Sequence, residues 1–245
     1  MNALAERLDE ATLTRRAIPR LTDAADLDVP AAYEVQRALI DRRLARGERI
    51  IGVKMGFTSR AKMVQMGVDD VIWGLLTDAM LIESQLDTGA LIHPRIEPEI
   101  AFLLDRPVRT PADAASAVGA VAVGYEVLDS RYEGFSFTLP DVIADNASAS
   151  GFGLGPWRSP RDVGNVGLVM EIDGRPVASG SSAAILGDPL RALNAAARLT
   201  RAAGIELRPG WVVLAGAATA AVPLPAGAHV RVGAAGLGHV EVTTR

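Results

Sequence analysis

Apolar positions along the chain follow two rhythms. Near the N-terminus Leu4, Leu8 and Ala11 recur at helical spacing with charges between them, which predicts a helix over residues 2–17. A second helix is predicted from Pro30, because proline suits the first helical turn; Tyr33, Val35, Ala38, Leu39 and Leu44 follow before Gly47 closes it. Its Arg37, Asp41, Arg42, Arg43 and Arg46 read as a solvated face. The run Ile50-Ile51-Gly52-Val53-Lys54-Met55-Gly56-Phe57 reads as a short buried strand, and Thr58 or Ser59 caps a short helix that ends at Gly67. Residues 68–77, with Asp69, Asp70 and Trp73, read as a loop.

From about Ala79 the rhythm shortens to alternating runs parted by turns. Strands are predicted near 79–84, 95–104, 118–129, 165–173, 176–181, 211–216, 229–233 and 239–243. Asp173-Gly174 between two of them is a two-residue hairpin signal. One helix interrupts, capped by Asp188, with Pro189 at its first position and Gly204 at its end. The fold class that follows is α+β, a helical N-terminal region (1–78) that carries the lysine strand and leans on a β-rich body (79–245). No linker parts them, so the two form one continuous globular unit.

Composition narrows the function more than the fold. Of 245 residues 49% are hydrophobic, enough for a substantial core. A net charge of -4 without a Lys/Arg cluster argues against nucleic acid or an anionic membrane as partner. There is no cysteine, hence no disulfide, thiolate nucleophile or cysteine-held zinc. The acidic, amphipathic start does not read as a signal peptide, and no run approaches the ~20 apolar residues that span a bilayer, so the expected compartment is the cytoplasm.

Candidate chemistry gathers on two strands. In Arg95-Ile96-Glu97-Pro98-Glu99-Ile100-Ala101-Phe102 the two glutamates share one strand face while Ile96, Ile100 and Phe102 point to a core. Glu126 lies on the polar side of a second apolar run, opposite Val121, Val123, Tyr125 and Val127. Such a pair fits a solvated strand face as well as a buried site. If buried, three carboxylates need positive compensation, and a hard divalent cation, Mg²⁺ or Mn²⁺, supplies it with oxygen ligands. Lys54, alone between Gly52 and Gly56, either snorkels from a sheet edge or has a partner in a site. No dinucleotide, phosphate-loop or nucleophile-elbow motif is present, and His93, His229 and His239 lack zinc spacing.

Around these residues the strings Gly52 to Ser59, Met66-Gly67-Val68-Asp69, Arg95 to Phe102, Glu126 to Arg131, Ala144 to Ser148, Leu186-Gly187-Asp188-Pro189 and Gly236-Leu237-Gly238 resemble the fumarylacetoacetate hydrolase superfamily. The branch is that of the 2-oxopent-4-enoate hydratases and 4-oxalocrotonate decarboxylases of aromatic meta-cleavage. The resemblance implies a mixed β-roll or barrel body, a metal held by Glu97, Glu99 and Glu126, and Lys54 beside a chelated 2-oxo acid. Ile72 stands where hydratases of the branch carry an acid, which points to decarboxylation of a 2-oxo-3-enedioate. The alternative is hydration of 2-hydroxypentadienoate, which the string Ala149 to Phe152 favours; an acylpyruvate hydrolase and a silent scaffold are further rivals. Ser148 and Thr219 are expected at the pyruvoyl end, and Arg131 and Arg60 at the distal carboxylate, because arginine grips carboxylates bidentately. The partners implied are a small 2-oxo dicarboxylic acid, further copies of the chain in a homo-oligomer, and a related hydratase.

Overall fold

The computed structural model describes residues 1–245 apart from the side chains of Gln65 and Met66, so Met66 of the Met66–Asp69 string falls outside it. In chain order the elements are α1 (Asn2–Thr14), α2 (Val29–Ala45), β1 (Ile50–Gly56), α3 (Arg60–Met66), β2 (Ile72–Thr77), β3 (Gln85–Leu86), β4 (Arg95–Leu104) and β5 (Val118–Leu128). There follow α4 (Leu139–Ala144), β6 (Ala149–Leu154), β7 (Gly167–Ile172), β8 (Arg175–Ser181), α5 (Pro189–Ala202), β9 (Val212–Ala217), β10 (Val222–Pro223), β11 (His229–Ala234) and β12 (Gly238–Thr244).

Two sheets make the body. One runs β2-β1-β9-β4-β5-β6, with β10 paired to β4; β1 and β9 are parallel and its other pairs antiparallel. The other runs β3-β12-β11-β7-β8. Ile96, Ile100, Phe102, Val121, Val123, Tyr125 and Val127 meet Leu168, Met170, Val230 and Val232 between the sheets, so the predicted apolar faces of β4 and β5 are the core. The lysine strand β1 is a member of the same sheet as β4 and β5, and α1 and α2 pack ahead of it against α4 through Leu8, Leu21, Val35, Leu39, Val142 and Ile143.

Local rules account for most boundaries. Asp28 accepts a hydrogen bond from the Ala31 N–H at the start of α2, Ser59 from Lys62 N–H at α3, and Asp188 from Leu190 N–H at α5. Asp173 (φ 50°) and Gly174 (φ 73°) both sit in the left-handed region, as the two-residue hairpin requires. α1 ends earlier than predicted, because Arg15 turns left-handed ahead of Pro19. Residues 72–77 are not a loop but the fully buried strand β2, whose continuous apolar run lacks the alternation of a half-buried strand. The strand expected at 79–84 is instead a single 3₁₀ turn, Asp78–Met80. β6 and α4 were not anticipated, one diluted by Gly151 and Gly153 and the other only six residues long.

Candidate metal centre and substrate cavity

Strand alternation sends Arg95, Glu97, Glu99 and Ala101 of β4 away from the inter-sheet core. Antiparallel pairing then sets Glu126 of β5 opposite Glu97, and Gly124 opposite Glu99. One carboxylate oxygen from each of Glu97, Glu99 and Glu126 lies within 4.8 Å of the others. Lys54 comes from β1, three strand steps away, which in a flat sheet means Cα atoms at least about 14 Å apart. Its Nζ nonetheless stands 3.0 Å from Glu126 Oε2, so the sheet curls and this face is concave.

The acids are poorly satisfied where they lie. Glu99 Oε2 accepts a hydrogen bond from Gly216 N–H at 2.8 Å. Gly216 has φ +106°, and a Cβ there would fall 2.1 Å from Thr58 Oγ1, so this donor needs glycine. Glu99 Oε1 and both oxygens of Glu126 are buried without a hydrogen bond; the Lys54 contact is Coulombic and poorly aligned. Burial first, then the charge of Glu126, pushes the Glu97 carboxyl up to about 8, with Lys54 and Lys62 pulling the other way. Burial, Glu126 and Glu97 raise Glu99 well above the usual carboxylate range. Burial also raises Glu126, against the pull of Lys54. For Lys54 burial alone acts downward, but Glu126, Glu97 and Glu99 outweigh it and hold the ammonium above its ordinary value. The lowered lysine that burial would give is therefore not what this acid cluster produces.

Unsatisfied buried carboxylate oxygens with raised proton affinity are the condition a hard cation relieves. The donor set is oxygen only, which suits Mg²⁺ or Mn²⁺ rather than a soft metal. Fit and chemistry agree.

Above the acids lies a cavity of about 750 Å³. Lys54, Glu97, Ile72, Ser148 and Thr219 all line it, while Glu99 and Glu126 lie beneath its floor. Lys54 Nζ donates to the Ala147 carbonyl at 3.0 Å. That carbonyl sits in a turn where Asn146, Ala147 and Ser148 all have positive φ (50°, 52° and 58°). The turn is clamped from β2, where Asn146 Oδ1 accepts from Leu75 N–H and its amide donates to Leu75 O. A Cβ on Gly74 would come 2.6 Å from the Asn146 carbonyl, which explains the glycine in that buried strand. Ser148 Oγ is buried with no hydrogen-bond partner.

The two arginines singled out from sequence lie elsewhere. Arg131 is buried and turned onto Asp145 through Nε and onto the Asp145 carbonyl and Ser150 Oγ through its other nitrogens. Arg60 is exposed on α3, and neither lines the cavity. Arg95, unremarked in the sequence reading, does line it. The signal was available, since Arg95 stands two residues before Glu97 and shares its strand face. A second depression of about 690 Å³, lined by small residues of β7, β8, β11 and β12, holds no titratable group.

Comparison with known proteins agrees with this picture. A family model described as fumarylacetoacetate (FAA) hydrolase C-terminal matches residues 52–245. A 4-oxalocrotonate decarboxylase of Pseudomonas sp. is 52% identical, the alignment covering 100% of this chain and 98% of that protein. A 2-hydroxypent-2,4-dienoate hydratase of Pseudomonas putida is 38% identical over 78% of this chain and 90% of its own. The solved 4-oxalocrotonate decarboxylase of Pseudomonas putida G7, complexed with magnesium and adipate, superposes with TM-score 0.95 at 38% identity, covering 100% of this chain and 97% of that one.

Proposed function

Because the chain belongs to the fumarylacetoacetate hydrolase family, we propose from its site that it is a metal-dependent decarboxylase of a 2-oxo-3-enedioate, with 4-oxalocrotonate as substrate and 2-hydroxypenta-2,4-dienoate and CO₂ as products. One observation carries the choice over hydration: among the described residues Glu97 is the only acid lining the cavity, and Ile72 occupies the wall. Adding water needs a base to activate it. Losing CO₂ needs none.

Glu97, Glu99 and Glu126 hold Mg²⁺ (or Mn²⁺), which supplies Lewis acidity to the carboxylate and 2-oxo end of the substrate. In the step itself the bond between the distal carboxylate and its neighbouring carbon breaks. Its electron pair moves through the conjugated chain to the 2-oxo oxygen, which then takes a proton. Lys54 stands at that end and remains a cation, so its ammonium opposes the charge that develops on the oxygen. The Ala147 carbonyl and Glu126 fix where the ammonium points. Ser148 Oγ, free of protein partners, meets the pyruvoyl end, and Thr219 closes that wall. Ile72, Phe57 and Val142 keep water from the conjugated carbons. Arg131 serves here by anchoring Asp145 ahead of the Asn146–Ser148 turn, and Arg60 stands exposed on α3 outside the cavity lining.

The same reading carries a homo-oligomer and a complex with a related hydratase, supported by outward-facing Val169 and Val177 on β7 and β8. Light scattering of the pure protein, alone and mixed with the hydratase, tests both. The activity is tested by CO₂ release and the ultraviolet spectrum with 4-oxalocrotonate and Mg²⁺. Metal-dependent CO₂ release that falls at least about 100-fold in Lys54→Met and Glu97→Ala is expected. Hydration of 2-hydroxypenta-2,4-dienoate without CO₂ release would overturn it.

A further inference from the structure

We infer that Arg95 receives the distal carboxylate of the substrate and sets the preference for a dicarboxylate over a monocarboxylate, an inference that rests on the 2-oxo acid reading of the metal end given above. Arg95, Glu97 and Glu99 share one face of β4, with Arg95 outermost. Arg95 stands two residue steps from Glu97, about 6.8 Å along the strand. An extended six-carbon chain, five C–C bonds long, spans a comparable length, so a substrate gripped by its 2-oxo acid end at Glu97 brings its far carboxylate to Arg95.

The guanidinium is held but not neutralised. Its central carbon lies 4.3 Å from the centroid of Phe135, another wall residue, so the ring fixes the plane and leaves the N–H edge for a ligand. Its cross-strand neighbours are Leu128 on β5 and Pro223 on β10, neither with a charge. Among the described residues no carboxylate lies within ion-pair distance of it, unlike Arg131, which Asp145 occupies. Lys62 lines the same cavity and adds to its positive side.

Position also decides the kinetic role. Arg95 is exposed at the cavity mouth, whereas the electron pair travels inward to Lys54. The far carboxylate loses its charge when it leaves as CO₂, so an ion pair to it favours the bound substrate over the transition state. Arg95 therefore lowers KM without helping kcat, so that its loss raises KM and leaves kcat equal or higher. It also loses its grip as neutral CO₂ forms.

The test uses the full-length protein with Mg²⁺ and two saturated six-carbon probes, 2-oxoadipate and 2-oxohexanoate, that differ only in the far carboxylate. Calorimetry of the wild type is expected to show about tenfold tighter binding of 2-oxoadipate, as one charge-assisted contact gives. Arg95→Met should erase that ratio and leave 2-oxohexanoate within about twofold, while Arg95→Lys restores part of it. With 4-oxalocrotonate, Arg95→Met should raise KM about tenfold without lowering kcat. A ratio that survives in Arg95→Met, or an equal loss for both probes, would overturn the assignment. Absence of CO₂ release by the wild type would instead strike the decarboxylase reading, and the binding ratio would still judge Arg95.

Discussion

Burial pushes the carboxyls of Glu97, Glu99 and Glu126 upward, so a cation binding among them would compete with protons. Glu97 is the measurable case, because burial and Glu126 raise it to about 8. Below that value it is mostly protonated and a poor ligand; above it the carboxylate is free. Mg²⁺ affinity should therefore climb as pH rises from 6 towards 8 and level off beyond, with proton release on binding. Calorimetry in buffers of different ionisation enthalpy measures both, and an affinity flat across that range would refute the coupled cluster. The Glu-x-Glu alternation and the lone Glu126 of the next apolar run point to the three acids whose carboxylates the fold gathers, while the family resemblance supplied the reading of them as a metal set. The sequence could not tell which basic residues join them. Arg131 and Arg60 sit near the right strings, but only packing reveals that Asp145 takes one and solvent the other.

At the level of elements, the site depends on where backbones approach closely. β9 bends at Gly216 so that its N–H meets Glu99, and it passes Thr58 at a distance no Cβ tolerates. Gly216→Ala forces φ +106° on an L-residue and drives the new methyl into Thr58. We expect a loss of about 1–3 kcal/mol in stability and weaker Mg²⁺ binding. Adding Thr58→Ala removes the Oγ1 and Cγ2 contacts but leaves the Thr58 Cβ position 2.8 Å from the new methyl and the φ strain intact, so the double variant should recover only part, by thermal melting and metal titration. Full recovery would show that sterics alone matter there. Elements with alternation or punctuation were legible: β4, β5 and the Asp173-Gly174 hairpin follow from period-two runs and turn chemistry. β2 and β6 were not, because a strand buried on both faces loses its alternation and glycines remove the side chains that would mark it.

On the scale of the whole molecule, two buried acids whose surroundings lower their proton affinity fasten the N-terminal part: Asp9 joins α1 to α2, and Asp141 joins the Thr22 turn to α4. Asp9 of α1 accepts from Nε of Arg42 on α2 at 2.9 Å and from both terminal nitrogens of Arg46, the residue that caps the end of α2. Asp141 of α4 accepts from the N–H and hydroxyl of both Thr22 and Thr138. Burial alone would raise each carboxyl, but Arg46 and Arg42 outweigh it for Asp9, and the Thr138 and Thr22 donors outweigh it for Asp141; both fall below the ordinary 3.8. A folded pKa below the unfolded one gives stability that is complete above about 3.8 and lost as pH falls through the folded value. These ties therefore hold at neutral pH and loosen only in stronger acid, where the helices should come away before the inter-sheet core melts. Hydrogen exchange at pH 3 should show early loss of protection in α1 and α2 while β4 and β5 stay protected. Asp9→Asn should cost about 1–3 kcal/mol at pH 7 and flatten the acid dependence, because the arginines keep a neutral partner in place of a charged one. If the variant keeps the wild-type acid profile, Asp9 is not the tie and Asp141 carries the coupling alone.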